Sequence, residues 1–303
     1  MKRCILKRNV FLNFIVAMLL LVVGVAPIMA EEAKPATAAP AIAAAPAAPA
    51  EDKPTADFAV SALSKYVWRG YEQTRDSIVV QPSLTVGYKG FSANLWSNLD
   101  TKPYSSIPGR TYSGNWTETD LTLSYSKTFG PVNVGGGYIY YGLNAPNQDT
   151  PDLLDSQEVF VTVGLNKLLS PTLTVYKEID HYHQWYFLLG ISHKIEFNKV
   201  IALQLAASAS YLLSEDADKY PKYNSDSIAT TDKFSNFHDG VVSVSLPITP
   251  VKYITIIPII SYVFPLSNDA KYEMKALGKQ GTAFPSDRDS SYLYGGLTFD
   301  FSF

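Results

Sequence analysis

Leu293-Tyr-Gly-Gly-Leu-Thr-Phe-Asp-Phe-Ser-Phe303 is the stretch on which the fold turns. Leu293, Leu297, Phe299, Phe301 and Phe303 fall on one parity, and Tyr294, Gly296, Thr298, Asp300 and Ser302 on the other. Successive side chains of a strand point to opposite faces, so this period of two predicts a strand with one apolar and one mixed or polar face. An edge strand so apolar would pair with another chain, and a sheet that closes on itself removes that edge.

Working outward from this strand, eleven further segments of the same kind follow residue 57. The set of twelve runs 58-68, 77-88, 91-99, 117-128, 132-142, 156-166, 172-181, 184-195, 200-213, 239-248, 252-264 and 291-303. Connections after the even strands are short and rich in turn formers, as at Lys89-Gly90, Phe129-Gly130-Pro131 and Thr249-Pro250-Val251. Those after the odd strands are longer and polar (69-76, 100-116, 143-155, 214-238 and 265-290), with 182-183 the brief exception. Short turns at one end and long loops at the other mark an outer-membrane barrel. The fold class is therefore all-β, a transmembrane antiparallel up-and-down β-barrel of about 12 strands.

The faces follow from parity. Leu121, Leu123 and Tyr125 should meet lipid, as should Val159, Val161 and Val163. Tyr88, Tyr138, Tyr140, Tyr211 and Tyr262 suit a girdle at headgroup level, where a ring with a hydroxyl is at home. Lys177 shares the apolar parity, and a lysine at the lipid midplane would cost about 2–4 kcal/mol, so it belongs at an interface or after a bulge. Ile256, Ile257, Ile259 and Ile260 are apolar on both parities, and Pro258, with no N–H to give, predicts a gap or bulge there.

Residues 1-30 read as a cleaved export signal. Lys2, Arg3, Lys7 and Arg8 precede an apolar run from Phe11 to Val25, and Ala26-Pro-Ile-Met-Ala30 offers small residues for cleavage near Ala30. Residues 31-56, mostly Ala and Pro, read as a semi-stiff periplasmic linker, which leaves 57-303 for the barrel. Cys4 falls within the signal, so the mature chain has no thiol chemistry. The whole chain carries -3, and its first 30 residues hold four bases and no acid, so the remainder carries -7. That balance argues against nucleic acid as a partner.

Parity places a set of polar side chains in the lumen as pore-lining candidates: Lys65, Arg69, Asn94, Trp96, Asn98, Glu118, Asp120, Glu158, Glu178, Asp180 and Asp300. Acids outnumber bases, and such charges are either hydrated by a channel or paired in a polar core, with side chains or an infolded loop nearly filling so narrow a barrel. Pairing of Lys65 and Arg69 with nearby carboxylates is the expected arrangement. His181 and His183 share a direction but lack a visible third ligand, and the loop acids Asp149, Asp152, Asp155, Glu215, Asp216 and Asp218 do not reproduce a calcium-loop spacing, so no metal or cofactor is expected. A barrel phospholipase would need a lipid-facing serine and histidine. His193 has outward parity without a serine signature beside it. An adhesive or purely structural barrel fits the loops as well, since fold does not decide function.

Ser64-Lys65-Tyr66-Val67-Trp68-Arg69-Gly70-Tyr71, with Val80 to Leu84, Gly90 to Asn98 and Glu118 to Tyr125, resembles the opening of the TorF-type family of bacterial porins. The likeness covers most of 57-303 and implies an outer-membrane channel for passive diffusion of small polar solutes, favouring cations if the lumen acids are unpaired. The implied surroundings are outer-membrane lipids and lipopolysaccharide. Phe303 also resembles the terminal signature that outer-membrane assembly machinery recognises.

Overall fold

The computed structural model describes residues 53–303 apart from 75–76, 106, 108, 145–148, 150–154 and 279–287. The export signal, the linker up to residue 52 and Asp152 lie outside the described residues.

Twelve strands form the barrel. The first six are β1 (Thr55–Leu63), β2 (Val79–Tyr88), β3 (Phe91–Asp100), β4 (Asn115–Phe129), β5 (Val132–Leu143) and β6 (Ser156–Leu165). They continue as β7 (Thr172–Glu178), β8 (Gln184–Glu196), β9 (Ala202–Ser214), β10 (Ser235–Ser245), β11 (Ile254–Pro265) and β12 (Tyr292–Ser302). Each pairs antiparallel with its neighbours in sequence, and β12 returns to β1 with Ala59 opposite Asp300 and Ser61 opposite Thr298. The sheet is a closed, antiparallel, 12-stranded barrel.

Local chemistry explains the short turns. Lys89 and Gly90 both have positive φ, 51° and 88°, between the paired residues Tyr88 and Phe91. This is the two-residue hairpin whose twist matches that of the strands. Outward parity is equally clear: Leu121, Leu123, Tyr125, Val159, Val161, Val163, Leu293 and Phe299 are all exposed on the barrel wall.

Two expectations need correction. β1 ends at Leu63 rather than 68, because the chain turns inward after Ser64, whose N–H still donates to the Gly295 carbonyl at 2.9 Å. β10 begins at Ser235, four residues before the expected 239, and ends at Ser245 rather than 248. Of the gap or bulge expected at Pro258 the gap is present: the β11–β12 register runs from Ile254 to Val263 without a shift, while on the other side strand pairing is interrupted at Leu246 and Pro247, and the Pro258 carbonyl accepts from the Leu246 N–H at 3.0 Å. The ambiguous isoleucines separate cleanly, with Ile257 buried and Ile260 exposed. Lys177 is outward but stands near the long-loop end of β7, with Nζ 2.5 Å from Glu215 Oε2 and 5.0 Å from the centre of the Trp185 ring. Its charge thus reaches the rim and avoids the midplane.

The packed core lies inside the barrel, towards its long-loop end. Leu63, Leu188, Leu212, Val241 and Val263 point inward from the wall. They meet Tyr66, Val67 and Tyr71 of the inward-turned segment, Tyr220 and Phe234 of the β9–β10 connection, and Met274 of helix α1 (Asn268–Leu277) in the β11–β12 connection.

Closure leaves little room at the seam. A methyl group on Gly296 would stand 1.9 Å from the Ala62 carbonyl oxygen, so Gly296→Ala must displace the β1–β12 ladder. The expected loss is about 1–3 kcal/mol, read as a lower urea midpoint for the barrel refolded in lipid vesicles; an unchanged midpoint would show that the seam yields freely.

Candidate functional site

The inward-turned segment carries a tight hairpin at its tip. Trp68 pairs with Tyr71 and Val67 with Glu72, and the two turn residues, Arg69 and Gly70, have φ of +46° and +82°. Two consecutive positive φ values favour glycine at one of the positions. Gly70 also has no space for a side chain, since a Cβ there would lie 2.9 Å from Asp239 Cβ and 3.1 Å from Met274 Cε.

This turn delivers a guanidinium into the lumen. Arg69 Nη1 and Nη2 donate to Glu158 Oε1 and Oε2 at 2.7 and 2.6 Å, a bidentate pair with both side chains almost completely buried. Tyr141 donates to Glu158 Oε2 at 2.9 Å. The guanidinium also lies 4.7, 4.8 and 4.3 Å from the ring centres of Trp68, Tyr176 and Tyr186. Delocalised charge, a planar fork and flat faces let arginine hold a carboxylate bidentately while it lies against several aromatic rings, a geometry that lysine's single ammonium cannot reproduce.

A second polar node joins the other infolded connections. In β10, two residues, His238 and Asp239, stand opposite the single residue Ser210 of β9, because the register shifts there. Such a bulge re-aims side chains, and here two consecutive residues both become buried. His238 Nδ1 lies 2.9 Å from Asp239 Oδ1, and Nε2 lies 3.2 Å from Glu273 Oε2 on α1. Tyr186 and Ser210 donate to Asp239 Oδ1 at 2.8 and 2.7 Å. Tyr71 hydroxyl is 3.1 Å from His238 Nε2 and also bonds to Tyr220. Burial pushes the Glu273 carboxyl above its ordinary value, against the pull of His238. Helix α1 is started by Ser267, whose Oγ accepts from Ala270 N at 3.1 Å, and is tied at its first turn by Lys222 and Asn236 to Asp269.

The eleven pore-lining candidates divide into three groups by location. Lys65 bonds Glu72 across the inward hairpin, and Arg69 holds Glu158 as described. Glu118 accepts from Tyr66 at 2.8 Å, and Asp120 is near it on the same face of β4, its Oδ1 without a hydrogen-bond partner. Asn98 donates to Thr117 and accepts from Gln81, Asn94 donates to Ser83 and Thr85, and Trp96 packs on Tyr66 with ring centres 5.5 Å apart. Glu178 and Asp180 are at the long-loop rim. There Glu178 gathers the N–H groups of Asp180, His181, Tyr182 and His183 at 2.6–3.1 Å, which shapes the brief turn. Asp300 is buried near the opposite end of the lumen, 3.5 Å from Ser302 Oγ.

Strand parity does not single out Tyr71, Tyr220, His238, Asp239 or Glu273. No alternation pattern announces a bulge, and the 265-290 connection, lacking strand periodicity, reads as loop. The one available signal was Ser267-Asn-Asp, a helix-start pattern ahead of Met274 and Leu277. Among the described residues, no group of three or more His, Cys, Asp or Glu side chains is placed to hold a metal ion.

No protein-family model matches the chain, and no curated protein sequence matches it. Among solved structures it is similar to the NanC porin, at 11% identity and a TM-score of 0.48, over 81% of this chain and 98% of that one. It is also similar to LpxR from Salmonella typhimurium, at 8% identity and a TM-score of 0.45, over 81% and 99% of the two chains. A third likeness is to OmpT, an outer membrane protein of Vibrio cholerae, at 8% identity and a TM-score of 0.36, over 83% and 97%. At such identities the likeness concerns the fold alone.

Proposed function

We propose that this protein is an outer-membrane, porin-like channel for passive diffusion of small polar solutes, whose passage is narrowed by the inward hairpin. The observation that carries the reading is the charge balance of the lumen. Among the described residues, Lys65 is held by Glu72 and Arg69 by Glu158, while Glu118 and Asp120 are further carboxyl groups on the inner face. Where such carboxyls ionise, a low-dielectric wall focuses their negative field and favours cations over anions. The resemblance of Tyr66 to Tyr71 to TorF-type porins fits this reading, because that block forms the hairpin itself. In the same reading residues 1-30 direct export and are cleaved near Ala30, residues 31-56 act as a spacer, and the exposed Phe303 is offered to the assembly machinery.

A second reading, an adhesive or structural barrel without a standing pore, is favoured by the packed cluster of Tyr71, Tyr220, Phe234 and Met274 across the lumen. The porin reading includes no catalytic step. Lipid hydrolysis that disappears in His193→Ala would replace it with a phospholipase.

Two outcomes are expected. In planar bilayers the wild-type barrel should conduct weakly, with a reversal potential on the cation side; silence across many insertions would sink the channel reading in favour of the sealed barrel. Arg69→Ala should raise conductance and strengthen cation preference, since it frees the hairpin and leaves Glu158 unpaired. It should also destabilise the barrel by about 3–5 kcal/mol in urea titrations, the usual result of stranding one member of a buried pair. A variant with native conductance would show that the hairpin does not obstruct the passage.

A further inference from the structure

The two ends of the barrel differ sharply in charge. At the short-turn end, Lys89, Lys127, Lys167, Lys194, Lys199 and Lys252 lie in or beside the turns, and all but Lys194 are well exposed. The only outward side-chain carboxylate among the described residues there is Glu196, which Lys194 already holds at 2.7 Å. Asp57 and Asp300 share the inward parity of Ala59. The long-loop end is instead rich in acids, among them Asp149, Asp155, Asp180, Glu215, Asp218 and Asp226.

The lysines do not stand alone. Lys89 Nζ lies 5.3 Å from the centre of the Tyr88 ring, Lys127 Nζ 5.3 Å from that of Phe129, and Lys252 Nζ 4.8 Å from that of Tyr253. Tyr253 stacks in turn on Phe303 at 6.5 Å. These rings are exposed, as are Phe91, Phe197 and Leu168 beside them. An ammonium held over an exposed ring is the arrangement expected where hydrocarbon gives way to headgroups, with the ring on the apolar side and the cation at phosphate depth. A water-soluble partner would have no need of so much apolar surface between the charges.

We infer that this collar binds the headgroups of anionic phospholipids in the periplasm-facing leaflet, with lysine ammonium groups on lipid phosphates and the neighbouring rings in the acyl boundary. The inference rests on the short-turn end facing the periplasm and is independent of whether the lumen conducts. Binding fixes the depth of the barrel at one end, while the acidic end is left to the outer surface.

The test uses the full barrel in phosphatidylcholine vesicles with spin-labelled lipids, where the motionally restricted fraction gives relative association constants. Phosphatidylglycerol should be preferred over phosphatidylcholine by about fivefold, the factor set by ~1 kcal/mol per engaged lysine. The preference should fall towards unity in high salt and in the variant carrying Lys89→Gln, Lys127→Gln, Lys167→Gln, Lys199→Gln and Lys252→Gln. The salt arm needs only the wild-type protein, so it decides the matter even if the variant fails to assemble. Equal association constants, or a preference that survives both salt and substitution, would overturn the inference. Equal constants combined with lysine-dependent co-sedimentation with peptidoglycan would overturn it in favour of the cell wall.

Discussion

A backbone that crosses hydrocarbon has no water to satisfy its N–H and C=O groups, and every other feature of this protein follows from how that demand is met. Twelve strands meet it by pairing in a ring, so the decisive contact is the one made last in the chain, between β12 and β1. The same ring inverts the usual disposition of side chains. Lipid accepts the exposed leucines, valines and phenylalanines of the wall, which leaves the lumen as the place where a packed core can form.

Filling that lumen poses a problem of shape. Strands supply side chains at fixed spacing, and a ring of twelve is too wide at its long-loop end to be closed by them alone. Three connections are folded in to complete the packing: the hairpin around Arg69, the segment that carries Tyr220 and Phe234, and helix α1 with Met274. Their polar groups are matched to the wall. Arg69 meets a carboxylate in the geometry that its fork requires, and His238 lies between two acids from different elements. Ion pairs buried this way add little net stability compared with an apolar filling, but an unpartnered charge costs much more, so they strongly restrict where the hairpin and the helix can sit. A connection held by such specific matches, on top of small apolar contacts, has one position in the lumen.

The wall meets its two interfaces by different means. At the long-loop rim, Lys177 is covered by Trp185 and paired with Glu215, whose carboxyl is held below its ordinary value by Lys177 and the indole N–H. At the other rim the lysines are mostly unpaired by carboxylates and backed by rings. The contrast arises from turn composition, since four of the five short turns carry a lysine and the fifth has Lys127 just before it, while the acids are concentrated in the long loops.

Alternation, together with short turns at one end and long loops at the other, determined the class, the strand number and the lipid-facing set, because a side chain in lipid is either apolar or very costly, and that rule is written residue by residue. Leu121, Val161 and Phe299 were legible for that reason, as was the Lys89-Gly90 turn, whose backbone demands are local. The partners of the polar lumen were decided only in three dimensions. Arg69 and Glu158 are 89 residues apart, and parity along β1 would have set Arg69 on a strand that ends at Leu63. His238 and Asp239 face the same way only because β10 is bulged against Ser210, and Glu273 reaches them only because a stretch without strand periodicity forms a helix inside the ring. Contacts with lipid repeat along the chain and can be read from it. Contacts across the lumen join distant segments, and closure of the barrel is what brings them together.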